Sequence, residues 1–311
     1  MRRLATIDLG TNTIRLLVVE VAGDGTWRTL AQRQALTRLG EGLHARGALS
    51  RAAMDRTVAT VAGFCREAGA FKATEVVIVA TSAVRRASNR QRFLDHVQEA
   101  TGQAVRVVSG EEEARLALHG ALHGLPHLTG RMVLFDIGGG STEVIFSEDR
   151  RLVALRSLAL GVVPLAERFL TAGPVEPERY AEMDREVRAT VAQELSDFSE
   201  GGQPHHLVGT AGTVTTLAAL DQGLSSYAVE RVQGYRLDHD RIQALLGTLS
   251  ALPVAARASL PCLEPGRADL IIPGIAICLA TMDRFGCRSV VVSDFGLREG
   301  VLIDHLSRVG P

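Results

Sequence analysis

"FDIGGGSTEVIF", residues 135–146, decides how this chain is read. Apolar residues flank it on both sides, as they flank a strand, yet its middle holds Asp136 and then Gly138, Gly139, Gly140 and Ser141. Glycine weakens a strand interior, so the run is a tight turn, with Asp136 ending one strand and Glu143 opening the next. The pattern occurs twice. "IDLGTNTIRLLVVE" (residues 7–20) lies over "FDIGGGSTEVIFSE" (residues 135–148) at a constant offset of 128 residues, so that Asp8 meets Asp136, Gly10 meets Gly138, Thr13 meets Ser141 and Arg15 meets Glu143.

One copy alone reads as a hairpin with an Asx turn; two copies in register ask for more. Weaker echoes follow each. "EVVIVATSAVRR" (75–86) and "HHLVGTAGTVTTLAAL" (205–220) are both apolar runs ending in small residues before a helix. "VRVVSGEEEARLALHG" (105–120) and "SVVVSDFGLREGVLIDH" (289–305) share a strand–Ser–helix shape. The sequence therefore predicts an α/β protein of two duplicated domains, 1–125 and 126–311, each a mixed sheet with helices on its faces. "HGLPHLTG" (123–130) punctuates the boundary, and the C-terminal helix is expected to pack back on the first domain. Long helices are expected near 50–70 and 176–198. "LIIPGIAICLA" (270–280) reads as a buried helix, too short to span a bilayer and interrupted by Pro273 and Gly274.

The 311 residues carry a net charge of −1, which argues against a generally basic nucleic-acid binder. Lys72 is the only lysine; base composition accounts for this, although arginine also suits bidentate phosphate contacts. Cys65, Cys262, Cys278 and Cys287 form no C-x-x-C pair. Neither a zinc site nor a disulfide framework is expected, and a reducing cytoplasm is. The start "MRRLATIDLG" has no long apolar stretch, so no signal peptide is expected, and no membrane partner either.

The chemistry follows from the two turns. Glycines let backbone N–H groups approach an anion unobstructed by Cβ. An aspartate beside them repels phosphate but holds a divalent cation that binds it. Two such turns facing each other across an interdomain cleft make a metal–phosphate clamp. In "SGEEEARL", Ser109 and Glu112 are spaced as a capping box, with the Glu112 side chain reaching back to the Ser109 N–H. Glu112 thus has a structural task. Spacing alone does not separate Glu111 from Glu113 as a proton acceptor, but the helical neighbours of Glu113 are Leu116, Ala117, Gly120 and Gly124, three of them small, leaving room beside its carboxylate. Arg85 and Arg86 are expected in the first turn of a helix, where arginine opposes the dipole and a bound anion compensates; Arg90 and Arg92 read as a solvated face. "GTAGT" offers Gly212 and Thr213 at a strand-to-helix turn that suits phosphate. Arg267 with Asp269, and Arg298 with Glu299, fit a cleft wall or a surface equally well. His205, His206 and the "DHD" of residues 238–240 have no partners at ligand spacing and read as structural.

Together "IDLGTNTIRLLV", "ATSAVRRASN", "SGEEEARL", "DIGGGSTE", "GTAGT" and "GLREG" resemble the exopolyphosphatase/guanosine-pentaphosphate phosphatase (Ppx/GppA) family, in the family's order, from Asp8 to about Gly300. The resemblance implies two actin-like (ribonuclease H-like) domains and a phosphoanhydride hydrolase. It implies Glu113 as the general base. It puts Asp136 and Glu143 at a catalytic magnesium, with Asp8 contributing; manganese suits the same oxygen ligands. Thr11, Asn12, Thr13 and Arg15 of the first turn, Gly138 to Ser141 of the second, Arg85, Gly212, Thr213 and Arg267 are implied as phosphate-binding. The first turn reads "GTNT" where "GSNS" is more usual, and the hydroxyls are kept. Larger members carry further C-terminal helical domains, so the resemblance is to the short two-domain form, and it leaves room for a homodimer. The expected substrate is inorganic polyphosphate. Guanosine pentaphosphate, a sugar-type kinase reaction and a non-catalytic polyphosphate sensor are the alternatives.

Overall fold

The computed structural model describes residues 2–199 and 204–309. The chain divides into two compact units, Met1–Gly120 with Leu297–Pro311, and Ala121–Gly296.

The first unit is built on five strands: β1 (Arg2–Leu9), β2 (Thr13–Val21), β3 (Trp27–Leu36), β4 (Glu75–Ala80) and β5 (Val105–Val107), in sheet order β3-β2-β1-β4-β5. β1, β2 and β3 form an antiparallel meander, and β4 and β5 continue the sheet parallel to β1. The second unit has β6 (Arg131–Ile137), β7 (Thr142–Glu148), β8 (Arg151–Leu158), β9 (His206–Thr210), β10 (Arg236–Asp238) and β11 (Ser289–Val292), in order β10-β11-β9-β6-β7-β8. Reading outward from β6, the meander runs through β7 and β8 and the parallel side through β9 and β11. This reproduces the first sheet strand for strand. β10, antiparallel on the edge of β11, is the addition. The fold class expected from the doubled motif is the one observed.

Helices cover the sheets, so central strands are apolar along most of their length rather than alternating; every residue of β7 except Glu148 is buried. The two long helices lie at Arg51–Ala70 and Pro177–Glu194. Ser50 caps the first, accepting the Ala53 N–H at 3.2 Å, and Pro177 opens the second, where its missing N–H costs nothing. The helix Ile271–Arg284 is buried continuously from Ile271 to Met282. Pro273 sits in its first turn, where proline is tolerated. No helix among the described residues is long and apolar enough to cross a membrane, and all four cysteines are free.

The C-terminal helix, Leu297–Val309, belongs to the first unit. Leu302 packs with Leu4, Leu17, Val19 and Val21, and Leu297 and Val301 with Val79, Val108 and Leu116. Gly300 makes this possible: a Cβ there would fall 1.8 Å from the Leu116 carbonyl oxygen.

Candidate active site

The two Gly-rich turns have the same backbone construction. In each, the first glycine closes the turn on the residue three positions later: Gly10 N–H donates to Thr13 O at 3.2 Å, and Gly138 N–H to Ser141 O at 2.9 Å. A Cβ on either glycine would meet that same carbonyl oxygen, at 2.8 Å and 2.9 Å respectively. Glycine is therefore required by close approach at both positions. Carbonyls inside the turns are taken up by the scaffold. Asn12 O accepts from Thr37 and Arg38, and Thr11 O from Gly40; Gly138 O accepts from Val162, and Gly139 O from Val163, at the start of the helix Val162–Phe169. Among the described residues, the N–H groups of Thr11, Asn12 and Gly139 donate to no main-chain carbonyl. They are the donors that an anion needs.

What differs is the charge across each hairpin. Asp8 pairs in register with Arg15 across β1 and β2, whereas Asp136 pairs with Glu143 across β6 and β7. Like charges directly opposite one another destabilise a sheet. Glu143 is only 1% exposed, and Ser157 Oγ donates to its Oε1 at 2.9 Å. Two carboxylates held opposite each other beside a phosphate-shaped turn fit a hard divalent cation, which takes one or two carboxylates and fills its remaining positions with water and phosphate oxygens. Among the described residues no cluster of three or more His, Cys, Asp or Glu side chains has metal-holding geometry. His239 pairs with Asp283 at 3.0 Å, a structural contact.

Glu113 lies in the first turn of the helix Gly110–Gly124. It is 9% exposed, while Glu111 is exposed and Glu112 half-buried. Arg85 Nη1 donates to Glu113 Oε2 at 2.8 Å and also lies 2.9 Å from Val108 O. The structure thus brings two predicted site residues together and orients the carboxylate. Three details correct the sequence reading. Only half of the capping box forms: the Glu112 N–H donates to Ser109 Oγ at 3.0 Å, but the Glu112 carboxylate pairs with Arg106 at 3.3 Å. Arg85 and Arg86 end the short helix Ser82–Arg86 instead of opening one, so they complement its dipole and need no anion on that account. Of the small residues beyond Glu113, Gly124 serves close packing: a Cβ there would fall 2.7 Å from Gln233 Nε2 and 3.0 Å from the Phe295 ring.

The third Gly-rich turn gathers Gly212, Thr213 and Arg267. Gly212 lies in the first turn of the helix Ala211–Asp221, and a Cβ there would fall 2.1 Å from Arg267 Nη1. A Cβ on Gly274 would meet Thr213 Oγ1 at 2.3 Å. Arg298 is half-buried, and its Nε donates to the buried Glu299 at 2.7 Å.

The sequence reading missed three supports. Gly161 packs so closely on the second turn that a Cβ would lie 2.4 Å from Gly140 Cα. Ser157, across β8 from Glu143, gave no signal of its own. Arg38 adopts a left-handed backbone (φ 48°) while donating its N–H to Asn12 O at 3.0 Å. Such strain gathers at functional sites, but it is invisible in an arginine codon.

A sequence model described as the Ppx/GppA phosphatase family matches residues 17–309. The chain belongs to the Ppx/GppA phosphatase family. It is 30% identical to Exopolyphosphatase 1 of Mycobacterium tuberculosis over 304 residues, covering 98% of this chain and 88% of the relative. It is 31% identical to that organism's Exopolyphosphatase 2 over 320 residues, covering 97% and 98%. Among solved structures, an exopolyphosphatase from Cytophaga hutchinsonii superposes with a TM-score of 0.91 at 28% identity, covering 99% of each chain. The Aquifex aeolicus Ppx/GppA family member superposes at 0.83 and 31%, covering 100% of this chain and 99% of its own.

Proposed function

We propose that this member of the family is an exopolyphosphatase, which hydrolyses the terminal phosphoanhydride of inorganic polyphosphate and releases orthophosphate. The relatives named exopolyphosphatase run the length of the chain. The single structural observation that carries the chemistry is the Asp136–Glu143 pair set across a glycine turn.

Glu113 accepts a proton from water. The water oxygen attacks the terminal phosphorus, the bond from that phosphorus to the bridging oxygen breaks, and the shortened chain leaves with the electron pair. Arg85 holds the Glu113 carboxylate in place and offers its remaining N–H groups to a phosphoryl oxygen. N–H and hydroxyl groups of Thr11, Asn12 and Thr13, and of Gly138 to Ser141, bind the terminal phosphoryl oxygens, with Arg15 nearby. Gly212, Thr213 and Arg267 bind phosphates further along the chain. Asp136 and Glu143, with Asp8 contributing, would hold Mg2+ or Mn2+, which when bound supplies charge neutralisation on the transferred phosphoryl group. No covalent intermediate is needed. The reaction suits a cytoplasmic enzyme working on a free polyanion, with neither nucleic acid nor membrane as partner.

The same residues would serve a guanosine pentaphosphate phosphohydrolase, which the family description also covers. Phosphate release from long-chain polyphosphate, tripolyphosphate and guanosine pentaphosphate, measured side by side with Mg2+, decides between them. Fastest release from long-chain polyphosphate is expected. A strong preference for the nucleotide would transfer the assignment, and intact substrate in every case would leave a binding protein.

A further inference from the structure

Arg257 is 1% exposed, the largest fully buried side chain in the molecule's described residues. It closes the short helix Val254–Arg257 in a stretch, "VAARASL", that reads as ordinary surface helix. A buried guanidinium is costly unless its N–H groups find acceptors. Here Nε donates to Leu249 O at 2.8 Å and to Leu252 O at 3.0 Å, and Nη1 donates to Ala268 O at 3.1 Å. Nη2 is buried without a hydrogen-bond partner. Burial pushes the Arg257 pKa down, opposed by attraction from Asp269. A leucine or methionine would fill this volume at lower cost. The arginine must therefore be judged by what its three acceptors have in common.

Two of them lie at the C-terminal end of the helix His239–Ser250 and just beyond it, where carbonyls lack helical partners and the dipole favours a cation. The third belongs to Ala268, the residue after Arg267. Within that loop the Arg267 N–H donates to Glu264 O at 2.8 Å, the Leu270 N–H donates to Arg267 O at 2.9 Å, and Arg267 Nε pairs with Glu264 at 3.0 Å. Arg257 bridges this loop, through the Ala268 carbonyl, to the end of a helix outside it. The loop in turn sets Arg267 over Gly212, against the helix start that offers phosphate donors.

We infer that Arg257 is a positioning residue for polyanion binding, acting through Arg267: it fixes the Ala268 carbonyl and so fixes where the Arg267 guanidinium stands. The inference rests on the assignment of Arg267 to phosphate and touches neither the proton acceptor nor the carboxylate pair. It follows that loss of Arg257 raises KM for polyphosphate and leaves kcat close to its original value.

The test is a double-mutant cycle on polyphosphate hydrolysis with R257M, R267A and R257M/R267A. R257M and R267A are each expected to raise KM about tenfold, and the double variant to be no worse than R267A alone, because neighbours acting through one contact are non-additive. Equal KM increases from R257M in the wild-type and R267A backgrounds would overturn the inference, since Arg257 would then act independently of Arg267. R267A raising KM while R257M does not would overturn it alone. R267A with unchanged KM would instead sink the phosphate role of Arg267. If R257M is not recovered folded, R257K keeps the cation but not the planar fork; the same three outcomes apply to it.

Discussion

The two hairpins share a backbone and differ in one cross-strand partner. In the first unit Asp8 faces Arg15; in the second Asp136 faces Glu143. The first pair sets opposite charges across from one another in the sheet. The second sets two carboxylates opposite each other, one of them 1% exposed, an arrangement that a bound cation would favour. On the proposed reading, both turns bind phosphate and the carboxylate pair of the second is the main cation holder. The cross-strand difference lies at one equivalent position, Arg15 in the first hairpin and Glu143 in the second.

The largest expected effect lies outside both hairpins. Glu113→Gln, which keeps the shape and loses the base, should cost about 10²–10⁴-fold in turnover, read as phosphate release, while polyphosphate binding persists. This would show that proton removal belongs to neither turn. Next is Ser157→Ala, which removes the donor on Glu143 Oε1. It should raise the Mg2+ concentration needed for half-maximal activity about 10–100-fold; an unchanged requirement would detach Glu143 from the metal.

A smaller effect exposes the asymmetry itself. In chelator, without divalent cation, Glu143→Gln should stabilise the protein by about 0.2–1 kcal/mol and Arg15→Met should destabilise it by a similar amount. Melting curves with the same sign for both variants would break the comparison. The smallest effect is a control at the end of the first sheet away from its turn. Glu75, at the start of β4, is held below the usual carboxylate range chiefly by hydrogen bonds from Arg2, with His305 adding to it. Its folded pKa is depressed, so its contribution is present above the ordinary value of 4.5 and lost as pH falls through the lower folded value. Glu75→Gln should reduce the acid-limb change in unfolding free energy by no more than about 1 kcal/mol, because the pair is partly exposed, and leave phosphate release unaltered.

The duplicated sheets were legible because the apolar–Asp–apolar–Gly pattern recurs at constant spacing, and local pattern dictates local turns. Glu113 was narrowed to one of two glutamates, and burial separates it from Glu111. The Arg85–Glu113 contact was not legible, because 28 residues separate its partners and only the strand order brings them together. The direction of Arg85 was misread for a related reason: a strand followed by small residues does not reveal that the helix is five residues long. Arg257 gave no signal, since a lone arginine after "VAA" is normally solvated and only tertiary packing buries it.

The most direct measurement is phosphate release from polyphosphate by Glu143→Gln and Glu113→Gln across a rising Mg2+ series. A cation held by the carboxylate pair, with the proton taken elsewhere, predicts that the Glu143→Gln deficit shrinks as Mg2+ rises while the Glu113→Gln deficit stays constant. Wild-type turnover by Glu113→Gln, or an identical Mg2+ response from both variants, would contradict it.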